Sequence, residues 1–238
     1  MIEANGMPRA DQIWTPGDPE YWCVILRRVK VQRAEFKRPC DYGPWTQALE
    51  ALDVSPFALM MFAHALARPG WPADAARQIE FALTFLEKDV MLFQSGYCKR
   101  HLLKRLHQAQ LNAAQSDRLV ALVKRAVIDG AGLEEFRGYG RCAATLNRSD
   151  LNAWLLETAQ GAVVPLWELP PDTRHAVLEA NPNVVKKYVG RTTGYEFGIS
   201  VDTLDGPVAF AGLGVERRVK ANAWRILQVV RRKHRGTP

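Results

Sequence analysis

No stretch of this sequence has the apolar length that a membrane demands. The longest apolar run, residues 57–67, is eleven residues long and contains His64, whereas a spanning helix takes about 20. The first eighteen residues hold Gly6, Pro8, Pro16 and Gly17 and lack the apolar core of a secretory signal. A cytoplasmic protein is therefore expected, with no membrane partner. Cysteine is scarce as well. The four, at positions 23, 40, 98 and 142, form no Cys-x-x-Cys pair, which excludes a zinc ribbon or a thioredoxin-type redox motif. Cys98 and His101 share a helix face, but no second pair at ligand spacing accompanies them and His107 falls elsewhere. Buried free cysteine is the expected state, with no metal and no cofactor.

Catalytic signatures are absent too. The chain has no Gly-x-Ser-x-Gly elbow, no His-Glu-x-x-His, no Walker loop and no EF-hand loop. Gly212 and Gly214 could open a dinucleotide fingerprint, but Arg217 stands where its third glycine belongs. A plain turn is expected there. Glu134 and Glu135 open a predicted helix, where carboxylates favour the positive dipole end without any catalytic role.

What the sequence has is helix. With 47% apolar residues over 238 positions it can build a continuous core. Asp18-Pro19-Glu20 starts a helix predicted over residues 21–37, although Val29 and Val31 also permit a short strand. Ser55-Pro56 is an N-cap with a first-turn proline for residues 57–67. Pro72 opens the next, with Ala75, Ile79, Leu83 and Leu86 on one face. Ser95 is expected to cap a third, and Ser116 or an earlier residue a fourth that ends at Asp129-Gly130. A fifth covers residues 133–146, Ser149 caps a sixth through Thr158, and a seventh runs from Pro171 toward Asn181. Near the C-terminus, Tyr195, Phe197, Ile199 and Val201 alternate with polar or small residues. With the turn at Asp205-Gly206-Pro207 this pattern allows one small β-hairpin before a last helix over 215–233.

The predicted fold class is all-α, with short links that make consecutive helices antiparallel. Helix starts recur about every 20 residues, so pairs repeat at about 40. Small residues such as Ala126, Ala143, Ala144 and Ala153 suit close layers. On this spacing, residues 117–160 resemble a HEAT or armadillo repeat pair. The resemblance implies a short α-solenoid of stacked helix pairs; an irregular helical bundle is the alternative. Residues 1–18 then form a flexible N-terminal segment, 19–185 a helical repeat body, and 186–238 a basic hairpin-plus-helix segment.

Charge is segregated. Residues 186–238 carry eleven Lys or Arg against four acids, and residues 1–185 sum to zero. Within that neutral part, residues 99–148 hold ten basic and four acidic residues, while 149–185 hold one and five. A further cluster comprises Arg27, Arg28, Lys30, Arg33, Lys37 and Arg38. Such segregation makes patches of potential. On a helical wheel of the last helix, Val215, Val219, Ala223, Ile226 and Val230 make the packed face. Arg217, Lys220, Arg231 and Arg235 lie opposite, with Trp224 among them. An exposed Trp there could stack on a base or an arginine, or fill a partner's pocket. The alternative places Trp224 against a neighbouring segment.

These patterns predict a non-enzymatic scaffold that binds a polyanion, nucleic acid or a nucleoprotein complex above all. The expected contacts are Arg217, Lys220, Trp224, Arg231 and Arg235, together with Lys99, Arg100, Lys104, Arg105, Lys124 and Arg125. A protein–protein adaptor with an acidic partner is the second reading, and an enzyme with a scattered site the third. For the third, Asp150 and Trp154 stand i, i+4 on one helix and are similar to the aspartate and tryptophans lining helical-repeat DNA glycosylases.

Overall fold

A computed structural model describes residues 17–31, 35, 41–68, 75–130, 133–160, 162–165, 198–202, 206–210 and 215–235. They are predominantly helical and fall into two compact units. The first comprises Met1–Val123 with Gly132–Leu146, the second Lys124–Ala131 with Asn147–Pro238. Among the described residues no helix is long and apolar enough to cross a membrane.

In the first unit, α1 (Pro19–Arg28) begins where the Asp18 carboxylate accepts the Glu20 amide at 2.8 Å, with Pro19 at the first helical position. The helix is shorter than the 21–37 span predicted from sequence. Val29 is extended, with ψ 125°, and the Lys88 ammonium donates to the Arg27 and Val29 carbonyls at 3.3 and 3.0 Å. A cation on carbonyls at a helix C-terminus stabilises that end. A short helix α2 (Gly43–Glu50), which periodicity did not predict, seats Trp45 and Leu49 in the core.

Helix α3 (Pro56–Leu66) opens as expected, the Ser55 hydroxyl accepting from Ala58 N at 3.3 Å. Helix α4 (Ala76–Glu87) packs against α1. Trp22, Phe62, Phe81 and Phe85 contact one another in series, the first pair stacked, the second edge-to-face and the third tilted, with consecutive ring centroids 5.8, 4.9 and 5.7 Å apart. Burying each such ring contributes about 1.5–3 kcal/mol. Helix α5 (Ser95–Leu106) packs against α3, α4 and α7 (Leu133–Leu146). Its cap position is Gln94, in the left-handed region at φ 65°, and not Ser95, which is the first helical residue. Gly138 of α7 and Leu103 of α5 meet so closely that no side chain fits at position 138.

Helix α6 (Ala113–Asp129) starts with a reciprocal cap. Asn112 Oδ1 accepts from Gln115 N at 2.9 Å, and Gln115 Oε1 from Asn112 N at 3.2 Å. Its end is marked by Gly130 at φ 79°, a conformation that glycine adopts without steric cost. Residues 113–123 belong to the first unit and 124–129 to the second.

The second unit holds α8 (Ser149–Ala159), whose cap position is Arg148 where sequence placed Ser149. Strands β1 (Ala162–Pro165), β2 (Gly198–Asp202) and β3 (Gly206–Phe210) form an antiparallel sheet in that order. Ala162 is opposite Val201, and a bulge lies between Ile199 and Val201. The last described helix, α9 (Val215–Arg235), packs on α8 and β1. Asn222 Nδ2 donates to the Val127 carbonyl at 3.1 Å, a group without an intrahelical partner in the final turn of α6. The predicted helix following Pro170-Pro171 lies outside the described residues.

Candidate nucleic-acid interface

The sequence of α5 is SGYCKRHLLKRL, with four basic residues, one histidine and no acid. Its apolar positions Cys98, Leu102, Leu103 and Leu106 recur at helical spacing and are buried. That burial fixes the rotation of the helix and turns Tyr97, Arg100 and Lys104 outward. Arg100 and Lys104 are exposed one turn apart, and Tyr97 is 63% exposed.

His101 lies between those two cations in sequence and is half-buried. Burial holds its pKa below the usual histidine range, and the nearby charges of Arg100, His64, Lys104 and Arg105 push the same way.

Two residues expected on such surfaces are not available there. Lys99 is 3% exposed. Its ammonium pairs with the Asp89 carboxylate and approaches Met91 Sδ at 3.9 Å. Position 99 follows Cys98 on the inward side of α5, and a buried amine there requires a partner, which the more exposed Asp89 supplies. Trp224 is 3% exposed, as are its neighbours Ala221, Asn222 and Ala223 within a few per cent. The turn 221–224 of α9 is covered on every side. Trp224 is a core residue and cannot stack on a base, as the alternative of packing against a neighbouring segment requires.

The remaining expected contacts are differently engaged. Arg105 is half-buried, donating to the Ala67 carbonyl at 3.4 Å and to Gln108 Oε1 at 3.3 Å. The Lys124 ammonium lies 5.3 Å from the centre of the Trp154 ring. Arg125 and Lys220 are half-buried. Arg231 lines an open cavity of about 400 Å³ with Asn147, Asn152, Leu156 and Val230. Arg217 and Arg235 lie in α9, and their side chains fall outside the described residues. Arg28 and Lys30 are exposed around the end of α1; Arg33, Lys37 and Arg38 lie outside the described residues.

The Asp150–Trp154 pair is likewise taken up locally. Arg148 donates to both Asp150 oxygens at 2.9 Å, and this lowers the carboxyl pKa. Trp154 faces Lys124.

A second concentration of charge lies in the first unit. Arg118 grips Glu87 with two hydrogen bonds, at 2.6 and 2.8 Å, and Glu80 with one at 2.6 Å. Gln115 donates to the other Glu80 oxygen at 3.1 Å. Burial alone would raise the Glu80 pKa, but these hydrogen bonds outweigh it and the carboxyl is held low. Cys23 lines an adjoining cavity of about 230 Å³. Burial pushes its thiol up to about 11, so it is protonated and a poor nucleophile at neutral pH. Cys98 and Cys142 are pushed to about 12 by burial. This cluster fits a structural role.

Sequence reasoning missed Phe93. It is 71% exposed and stands four residues before Tyr97. Phe93 precedes α5 beyond the left-handed Gln94, so helical periodicity carried no signal for it. No protein family, curated protein or solved structure matches this chain.

Proposed function

We propose that this chain is a non-enzymatic helical scaffold that holds a polyanion, nucleic acid or a nucleoprotein assembly, on the outer face of α5. The observation that carries the reading is the pair of exposed cations Arg100 and Lys104, one helical turn apart on α5. Phosphate contacts of this kind give affinity without reading sequence. Stacking of antiparallel helix pairs as a short α-solenoid belongs to the same proposal.

A salt titration of binding to a random-sequence oligonucleotide tests it. Replacing both Arg100 and Lys104 by glutamine should weaken binding and flatten the salt dependence by about 0.7–0.9 per cation removed. Wild-type chain that binds no oligonucleotide at low salt sinks the proposal.

A protein–protein adaptor is the second reading. Phe57 and Met61 of α3 favour it, being 73% and 53% exposed and one helical turn apart. Large apolar side chains grouped on a surface mark interaction sites. Loss of a protein partner on Phe57→Ser, with oligonucleotide binding absent throughout, would establish it.

A further inference from the structure

We infer that α3 and α5 form a docking furrow for an acidic, amphipathic helical segment of another protein, whose apolar side chains meet Phe57, Met61 and Tyr97 and whose carboxylates meet Arg68 and Lys104. The furrow rests on the adaptor reading above and gives its partner a chemistry; it does not depend on nucleic-acid binding.

Helix α3 is PFALMMFAHAL, apolar apart from His64. A helix apolar all round is ordinarily covered on every side. Leu59, Met60 and Ala63 are indeed buried, but Phe57 and Met61 are exposed. Phe57, Met61 and His64 stand at i, i+4 and i+7, on one face. The backbone keeps turning past the end of α3, with Ala67 in the right-handed helical region and Arg68 N donating to the Ala65 carbonyl at 3.2 Å. The exposed Arg68 therefore follows Phe57 at i+11 on the same face. That face rises about 16 Å, or about three helical turns.

Helix α5 packs alongside α3 and runs in the same direction. Arg105, near the end of α5, donates to the Ala67 carbonyl just past α3. One turn earlier, His64 is close enough to His101 to act on its charge. A further turn back on each helix brings Met61 level with Tyr97. Tyr97 is exposed and shares its face of α5 with the exposed Lys104, at i+7. The two helices thus present apolar side chains toward their starts and cations toward their ends.

Charge selects the occupant. Neither α3 nor α5 contains an acid, so Arg68 and Lys104 call for carboxylates from outside these helices. Two copies of this chain meeting through the furrow would bring cations to a surface that offers none. Met61 stands in the middle of the apolar end. A flexible thioether adapts to varied apolar side chains and has no ring on which a base can stack. An amphipathic helix laid along such a furrow, with anchors at i, i+3 or i+4 and i+7, uses both ends of it.

The test is fluorescence anisotropy of the full chain with a labelled peptide of leucine, alanine and glutamate whose leucines fall on one helical face. One control peptide scrambles the same residues, a second carries lysine in place of glutamate, and labelled oligo-dT is the fourth probe. The acidic amphipathic peptide should bind more tightly than either control peptide. Phe57→Ser, Met61→Ser and Tyr97→Ser should each weaken it about 5- to 30-fold, and Met61→Leu should bind like wild type. Arg68→Gln and Lys104→Gln should each make the binding less sensitive to salt. All five side chains are exposed, and unchanged melting temperatures verify that the variants fold. Scrambled peptide that binds equally well, or acidic peptide that ignores Phe57 and Met61, overturns the furrow. Should the lysine peptide bind best and need Phe57, the acidic partner is wrong and the adaptor reading survives. Should sedimentation show a wild-type dimer that Met61→Ser dissociates, the occupant is a second copy and the inference fails. Binding of oligo-dT alone removes the furrow and leaves the polyanion reading standing.

Discussion

Lys124 and Trp154 satisfy each other: the ammonium of one lies 5.3 Å from the ring centre of the other. Each carries a feature that sequence assigns to ligand binding, a cation in one case and a large aromatic surface in the other. Paired, they hold the end of α6 to α8 within the second unit. A double-mutant cycle of Lys124→Met and Trp154→Leu, read by denaturant unfolding, should give a coupling of about 0.5–1 kcal/mol. A coupling near zero would show the contact to be incidental.

Trp224→Ala should act on stability and leave binding alone. A large aromatic side chain at 3% exposure leaves a cavity when truncated, and the expected loss is about 3–5 kcal/mol. Thermal melting measures it. An unaltered melting temperature with weakened oligonucleotide binding would restore Trp224 to the surface.

Gly138→Ala should destabilise despite the better helix propensity of alanine. A Cβ at position 138 would stand 2.9 Å from Leu103 Cδ1 and 3.0 Å from Leu103 Cβ. The methyl end of leucine can turn away, but its Cβ cannot without moving the helix. Overpacking costs about 1–3 kcal/mol against a propensity gain of about 1 kcal/mol. A stabilised variant would mean that α5 and α7 separate freely.

Glu135→Gln should raise the melting temperature at neutral pH. Burial raises the Glu135 pKa, the buried Lys99 partly opposes this, and Asp89 adds to it. A carboxyl whose folded pKa lies above its unfolded value favours folding most below the unfolded value. That contribution is lost as pH rises through the folded pKa. The advantage of glutamine should therefore be smallest near pH 4.5 and grow toward neutrality. Melts across that range check the sign, and an advantage that shrinks with rising pH would contradict it.

Much of the fold was legible because helix ends obey local chemistry. Asp18 and Ser55 cap their helices with the hydrogen bonds their side chains suggest, and Gly130 ends α6. The early end of α1 was not legible, since it depends on Lys88, about sixty positions away in sequence. A wheel separates Arg100 from Lys99, since Lys99 shares the buried face with Leu102, Leu103 and Leu106 at i+3, i+4 and i+7 spacing. Periodicity could not supply the partner of Lys99, the carboxylate of Asp89 ten positions earlier. Trp224 illustrates the same limit, because amphipathicity reports direction along a helix and not what packs there. Phe93 lies before α5, where a left-handed Gln94 breaks helical register, so its exposure was not legible from spacing.

Helix α4 has a consequence for how the first unit can open. Every residue from 81 to 86 is buried, and α1 and α5 both pack on this helix. The amide hydrogens of residues 81–86 can reach solvent only when the surrounding helices part, so their exchange should report the largest opening free energy of the unit. A ligand held on the outer face of α5 stabilises the closed form by mass action. It would slow exchange in α4 without touching it, so a buried helix with no ligand contact would record the ligand's presence.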